Sequence, residues 1–95
     1  MTKADIINDV SKQTGFTKVE VEIMLDSVIN SIKVSLASGE RVDMRGFGSF
    51  LVKRREARNT RNPATNEIFK LDARYIPSFK VSKILKEYVN ENLIN

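Results

Sequence analysis

The residue types able to do chemistry in this chain collect in one segment. Between Lys53 and Arg74 the sequence reads "KRREARNTRNPATNEIFKLDAR", with seven Lys/Arg against three Asp/Glu; residues 1–52 carry six against seven, and residues 75–95 three against two. The net charge of +4 therefore belongs to the middle of the chain. Concentrated positive charge with no large apolar anchor over 53–67 suits a polyanion, nucleic acid ahead of a membrane surface. Inside it, "RNTRNPATNE" (58–67) sets Arg61 and Asn62 beside Pro63. Guanidinium and amide groups donate to phosphates and base edges, whereas a proline ring is rigid, apolar and carries no N–H. Pro63 also suits an ordinary turn, and the residues alone leave both roles open.

Other chemistries lack their parts. The chain has no cysteine and no histidine, which removes disulfides, thiolate or imidazole metal ligation and the commonest nucleophiles and general bases. The carboxylates Asp43, Glu67 and Asp72 are scattered without metal-ligand spacing and read as surface charge. The "GFGSF" glycines have neither the third glycine of a dinucleotide fingerprint nor the Gly-Lys-Ser/Thr ending of a P-loop. No aromatic residue falls between 53 and 67, so that stretch is no stacking platform for single strands. The expectation is a binding protein, not an enzyme, with no cofactor, metal or small-molecule substrate. Met1 leads into polar "TKAD", and no apolar run approaches the roughly 18 residues of a membrane span. An intracellular, cytoplasmic protein with no membrane partner is expected.

These groups need elements to position them. Thr2 and Asp5 form a possible capping arrangement for a short helix over 2–15, with Ile6, Ile7 and Val10 at helical spacing and Gly15 at its end. Thr17 and Glu20 make a capping box for a second helix over 18–38, with Phe16 and Val21 as staple residues and Gly39 as its closing residue. That helix carries more apolar residues than one stripe holds, so one face meets a partner subunit or the helix lies at the centre of a monomeric core. Val42 and Met44 then alternate with Arg41, Asp43 and Arg45, and Phe50 and Val52 resume the alternation after "GFG", which reads as strand, turn, strand. Gly46 and Gly48 supply positive φ or close backbone approach, and Phe47 plugs an apolar core.

From Lys53 a strand continues to a turn at "PATN", closed by Asn66, and returns through "EIFKLDARYIPSF", a long hairpin whose outgoing ten residues reach about 33 Å. A basic amphipathic helix is expected from Val81 to about Asn92, with Lys80, Lys83 and Lys86 three residues apart; such lysines form either a solvated face or a second basic surface.

Together, "MTKADIINDV", "GERVDMRGFGSFLVKRREAR", "TRNPATNEI" and "IPSFKVSKILK" resemble the bacterial HU and integration host factor family of small dimeric DNA-bending proteins, over essentially the whole chain. The combination of "GFGSF", Arg-Asn-Pro a dozen residues later and then "IPSFK" is what makes the resemblance specific.

The resemblance implies an α+β fold: an intertwined dimer whose helical body has two N-terminal helices and a short C-terminal helix, with a three-stranded antiparallel sheet extended into a long β-ribbon arm, about 53–74, that enters the minor groove. Residues 1–95 would form a single domain. Pro63 matches the family's intercalating wedge, and Arg61 and Asn62 match its minor-groove contacts. Lys53, Arg54, Arg55, Arg58, Lys70 and Arg74 would bind phosphates along the arm, with Arg55, Arg58 and Arg61 ahead of Lys70. Lys3, Lys80, Lys83 and Lys86 fit body contacts to the flanking duplex, and Phe47, Phe50 and Phe79 the shared dimer core. The implied partner is double-stranded DNA, bent and compacted with little sequence preference in the bacterial nucleoid. A homodimer is implied ahead of a heterodimer with a paralogue.

Two departures stand out: Thr60 and Asn66 occupy positions where the family often has glycine, and "FKVSK" lacks the usual proline and glycine before the last helix, leaving Ser82 to cap it. Two other readings keep a place. One is a site-specific subunit of a heterodimer, of the integration host factor kind; the other is an interaction module whose hairpin docks on an acidic protein.

Overall fold

In the computed structural model, which describes residues 1–94, the chain forms two compact units, Met1–Ser35 and Leu36 onward. The first is helical. α1 spans Lys3–Thr14 and α2 spans Lys18–Ala37. The Thr2 hydroxyl accepts from the Asp5 N–H at 3.3 Å while the Asp5 carboxylate accepts from the Thr2 N–H at 2.8 Å. Gly15 then ends α1 at φ 82°, its N–H donating to Ser11 O at 2.9 Å. At the start of α2 the Glu20 N–H donates to Thr17 Oγ1 at 3.2 Å and the Glu20 carboxylate accepts from the Thr17 N–H at 3.3 Å. The two N-terminal caps satisfy donors that a helix leaves orphaned at its first turn, and the Gly15 N–H serves a carbonyl of the last turn.

In the second unit, β1 (Val42–Met44), β2 (Gly48–Arg55) and β5 (Arg74–Val81) form an antiparallel sheet in the order β1-β2-β5. The two glycines of "GFG" divide their tasks. Gly46 takes φ 83°, turning the chain between β1 and β2. Gly48 is extended, but a Cβ there would lie 2.5 Å from Lys80 O and 2.5 Å from the Phe79 ring, so its role is close approach. Pro77 pairs with Val52 on the edge strand, where a missing N–H costs no ladder bond to a further neighbour.

The arm is a two-stranded sheet of β3 (Arg58–Arg61) and β4 (Ile68–Leu71). The expected uninterrupted strand from Lys53 is broken at Glu56–Ala57, and its return at Asp72–Ala73. The register survives the break. Arg55 pairs with Arg74 before it and Arg58 with Leu71 after it, so two residues are passed on each side and no bulge intervenes.

α3 spans Lys83–Ile94. The helix expected from Val81 thus starts later, because Val81 pairs with Gly48 and Lys80 with Ser49 as the last rungs of β5. Ser82 is the cap: its hydroxyl accepts from the Leu85 N–H at 3.0 Å and its carbonyl from the Lys86 N–H at 3.0 Å.

Among the described residues the buried hydrophobic side chains are Ile7 and Val21, while Val19, Ile23, Val28, Ile29 and Val34 of α2 stand 41–67% exposed. The rings of Phe47 and Phe50 lie 5.4 and 5.0 Å from that of Phe79, yet Phe47 and Phe79 remain 49% and 43% exposed. Apolar exposure on this scale is the mark of an association surface.

Candidate nucleic-acid interface

The arm's turn is built from side chains that fold back on their own backbone. The Asn62 N–H donates to Glu67 O at 2.8 Å and the Asn66 N–H to Asn62 O at 2.7 Å, closing the tip around Pro63, Ala64 and Thr65. Asn66 takes φ 62°, the left-handed conformation that glycine or asparagine tolerates best. Asn62 Oδ1 accepts from the Ala64 N–H at 2.9 Å. That bond uses the acceptor of the Asn62 amide and leaves its two N–H donors for something outside the chain. Pro63 is exposed at the apex.

Antiparallel pairing sorts the arm's side chains by face, since paired residues share a face and neighbours along a strand alternate. Arg61 pairs with Ile68 and Asn59 with Lys70, whereas Arg58 pairs with Leu71 and Thr60 with Phe69. Arg61 and Lys70 therefore belong to one face and Arg58 to the other. The ladder thus sets Arg58 on the face opposite to Arg61 and Lys70. Thr60, where glycine is usual, is half-buried in the ladder opposite Phe69, and its branched side chain suits a pleated strand.

At the arm's root, Lys53 and Arg55 share a face with Ile76 and Arg74. Arg55, Arg58 and Arg74 line a cleft of about 560 Å³ at the break in the ladder, together with Glu56. Arg54, on the other face with Tyr75, is ion-paired to Glu56. Among the described residues it is the arm cation with an acidic partner; Lys53, Arg55, Arg58, Arg61, Lys70 and Arg74 make no ion pair.

A second basic surface adds Arg41 and Arg45 to the expected Lys80 and Lys83. Arg41, Arg45, Lys80 and Lys83 line a concave region of about 440 Å³ with the hydroxyl-bearing Ser49 and Ser82. Arg41 and Arg45 flank β1 and Asp43 lies within it; the pairing of Asp43 with Ser49 and of Ser49 with Lys80 brings in the rest. Arg41 Nε donates to Asp43 Oδ1 at 2.8 Å, and Ser49 Oγ donates to the same oxygen at 2.5 Å. Those two contacts, Ser49 first, hold the Asp43 carboxyl below its ordinary range. Asp43 is therefore a fixed anion orienting Arg41, while Glu67 lies at the arm's turn and Asp72 at its root, so these carboxylates do not converge.

Of the remaining expected contacts, Lys3 at the start of α1 is ion-paired to Asp26 of α2 at 2.6 Å, which raises its pKa. Lys83 pairs with Glu87 at 3.9 Å, and Lys86 is exposed on α3. No helix among the described residues is long and apolar enough to cross a membrane.

The family model described as "Bacterial DNA-binding protein" matches residues 1–90. Integration host factor subunit beta of Marinobacter nauticus is 42% identical over 94 residues, 98% of this chain and 96% of its own length. DNA-binding protein HU of Staphylococcus aureus is 45% identical over 89 residues, 94% of this chain and 99% of its own. Among solved structures, an Anabaena HU–DNA cocrystal aligns with a TM-score of 0.87 at 34% identity, covering 94% of this chain and 97% of that one. HU from Thermotoga maritima aligns at 0.66 and 32% identity.

Proposed function

The chain belongs to the bacterial DNA-binding family of HU and integration host factor, and from that premise we propose that it is an architectural protein that binds, bends and compacts double-stranded DNA with little sequence preference. The observation that carries this reading is the arm: a two-stranded ribbon in one continuous register, with free cations on both faces and Arg61, Asn62 and Pro63 at its end. At about 3.3 Å per residue of extended chain, the outgoing side of the arm from Arg55 to Pro63 reaches roughly 26 Å.

Each part has a task that follows from its chemistry. Arg61 and the spare amide N–H groups of Asn62 face an acceptor-rich minor-groove floor that distinguishes base pairs poorly, which accounts for low sequence specificity. Pro63 enters a base step as an apolar wedge; unstacking costs on the order of a few kcal/mol, offset by the phosphate contacts a bent duplex can make. Lys53, Arg54, Arg55, Arg58, Lys70 and Arg74 bind phosphates along the arm. Arg41, Arg45, Lys80 and Lys83 hold the flanking duplex, joined by Lys3 and Lys86. Such a surface binds without catalysing, within the nucleoid of the cell.

The protein acts as a dimer, of identical or paralogous chains. Phe47, Phe50 and Phe79 belong to its shared core, the exposed face of α2 meets the partner subunit, and residues 1–95 work as one DNA-binding domain with the arm at about 53–74. Circularisation of short duplexes tests the wedge. Pro63→Ala should bind linear DNA within a few-fold of the parent yet close far fewer circles; equal circle yields by the two proteins would remove Pro63 from that role.

A further inference from the structure

Ile68 opposes Arg61 in the last rung of the arm before its turn. In the next pair outward the Asn62 N–H donates to Glu67 O at 2.8 Å, which makes that pair hydrogen-bonded and, by alternation, Arg61–Ile68 a non-hydrogen-bonded pair. Such pairs bring their side chains closest, with Cα atoms about 4.5 Å apart. Ile68 is 64% exposed and is the apolar side chain on a face it shares with Asn59, Arg61 and Lys70. Phe69, on the other face, has Thr60 opposite it and Leu71 two places along. Ile68 has no such company, and the side chain directly across from it is an arginine.

We propose that Ile68 is a positioning residue for Arg61, an apolar rail along which the arginine's methylene stem lies when its guanidinium engages the duplex. This rests on the DNA-binding reading above. An arginine stem covers apolar surface while its charged head stays free for an acceptor, and a stem held in advance has less rotamer freedom to lose on binding. Ile68 suits the task because a β-branched side chain is stiff at χ1 and offers a fixed surface. The alternative course for the stem is back along the ribbon. There it meets Lys70, the diagonal neighbour on the same face about 7–8 Å away, whose like charge opposes it. Ile68 therefore acts through Arg61, and what it contributes to binding depends on that arginine being present.

The test is a double-mutant cycle on duplex affinity, using the full-length protein with Ile68→Ala, Arg61→Ala and the two combined, and Ile68→Val as the conservative control. Ile68→Ala should weaken binding about threefold per arm, hence about tenfold for a dimer with two arms, and Ile68→Val, which keeps the branched rail, should recover most of that loss. In the Arg61→Ala background, Ile68→Ala should cost nothing further. Parental affinity in Ile68→Ala overturns the assignment. An equal loss in both backgrounds also overturns it, since Ile68 would then touch the duplex itself or hold the arm together independently of Arg61. Both of those outcomes leave the DNA-binding reading standing. A parental protein that fails to bind duplex removes that reading and the role of Ile68 with it, so the two failures are distinguishable.

Discussion

The helical unit and the arm are incomplete in opposite senses. Along α1 and α2 both N-termini are capped and Gly15 closes the first helix, yet Val19, Ile23, Val28 and Ile29 are left in water. Along the arm the register is intact and the turn is closed by its own asparagines, yet Arg58, Arg61 and Lys70 have no acidic partner among the described residues. Local rules are obeyed in both places, so neither exposure is a failure of folding. The difference lies in what would complete each: an apolar face needs another apolar face, and a row of cations needs a polyanion. A chain of 95 residues buries too little of itself to be secure alone, which makes the first requirement one of stability and the second one of function.

Substitutions can break that contrast in order of effect. Phe79→Ala should be the most damaging, since its ring contacts both Phe47 and Phe50. A loss of about 3 kcal/mol is expected if the cluster is buried in the dimer. It should be read as a lower melting temperature that falls further on dilution, as for any fold coupled to association. A melting temperature independent of protein concentration would place the three rings outside the dimer core.

Arg61→Ala should leave stability unchanged and weaken DNA binding broadly across sequences, with a salt slope shallower by about 0.9 if Arg61 also neutralises a phosphate. An unchanged slope with weaker binding would assign it to the groove floor alone, sharpening the division of labour between the arm's two faces.

The smallest effect belongs to the caps. Hydrogen bonds from the Thr2 backbone, then its side chain, hold the Asp5 carboxyl below its ordinary pKa of 3.8. A depressed folded-state pKa gives stability that is present above 3.8 and lost as pH falls through the folded value. Asp5→Asn should therefore melt slightly below the parent near neutral pH, the two converging as the solution is acidified below pH 3.8. A gap that persists in strong acid would tie the loss to packing instead of charge.

What could be read from the sequence follows the same division between local and distant causes. Thr2 with Asp5, Thr17 with Glu20, Asn66 in the turn and Ser82 as a cap are signalled within four residues of where they act, and each takes the expected place. Helical spacing in the sequence extends back to Val81, but the last helix begins at Lys83, because the opposite strand, through Gly48 and Ser49, keeps Val81 and Lys80 extended. The Arg41–Asp43–Ser49 network is hidden for the same reason. In each case the deciding group lies across a strand pair, where no periodicity in one segment can report it. The tip was legible because a run of cations, amides and one proline has no other way to satisfy itself.

The unbroken register from Gly48–Val81 out to Arg61–Ile68 makes the arm a ruler with coarse graduations. Removing one residue from each strand would shorten it by about 3.3 Å and also turn everything beyond through half a revolution, exchanging the Arg61 and Arg58 faces. Only removal or insertion of two residues on each side, about 6.6 Å, preserves which cations meet the duplex. Homologous arms of different reach should consequently differ by even numbers of rungs, and a one-rung change should come with its basic residues shifted by one place along both strands.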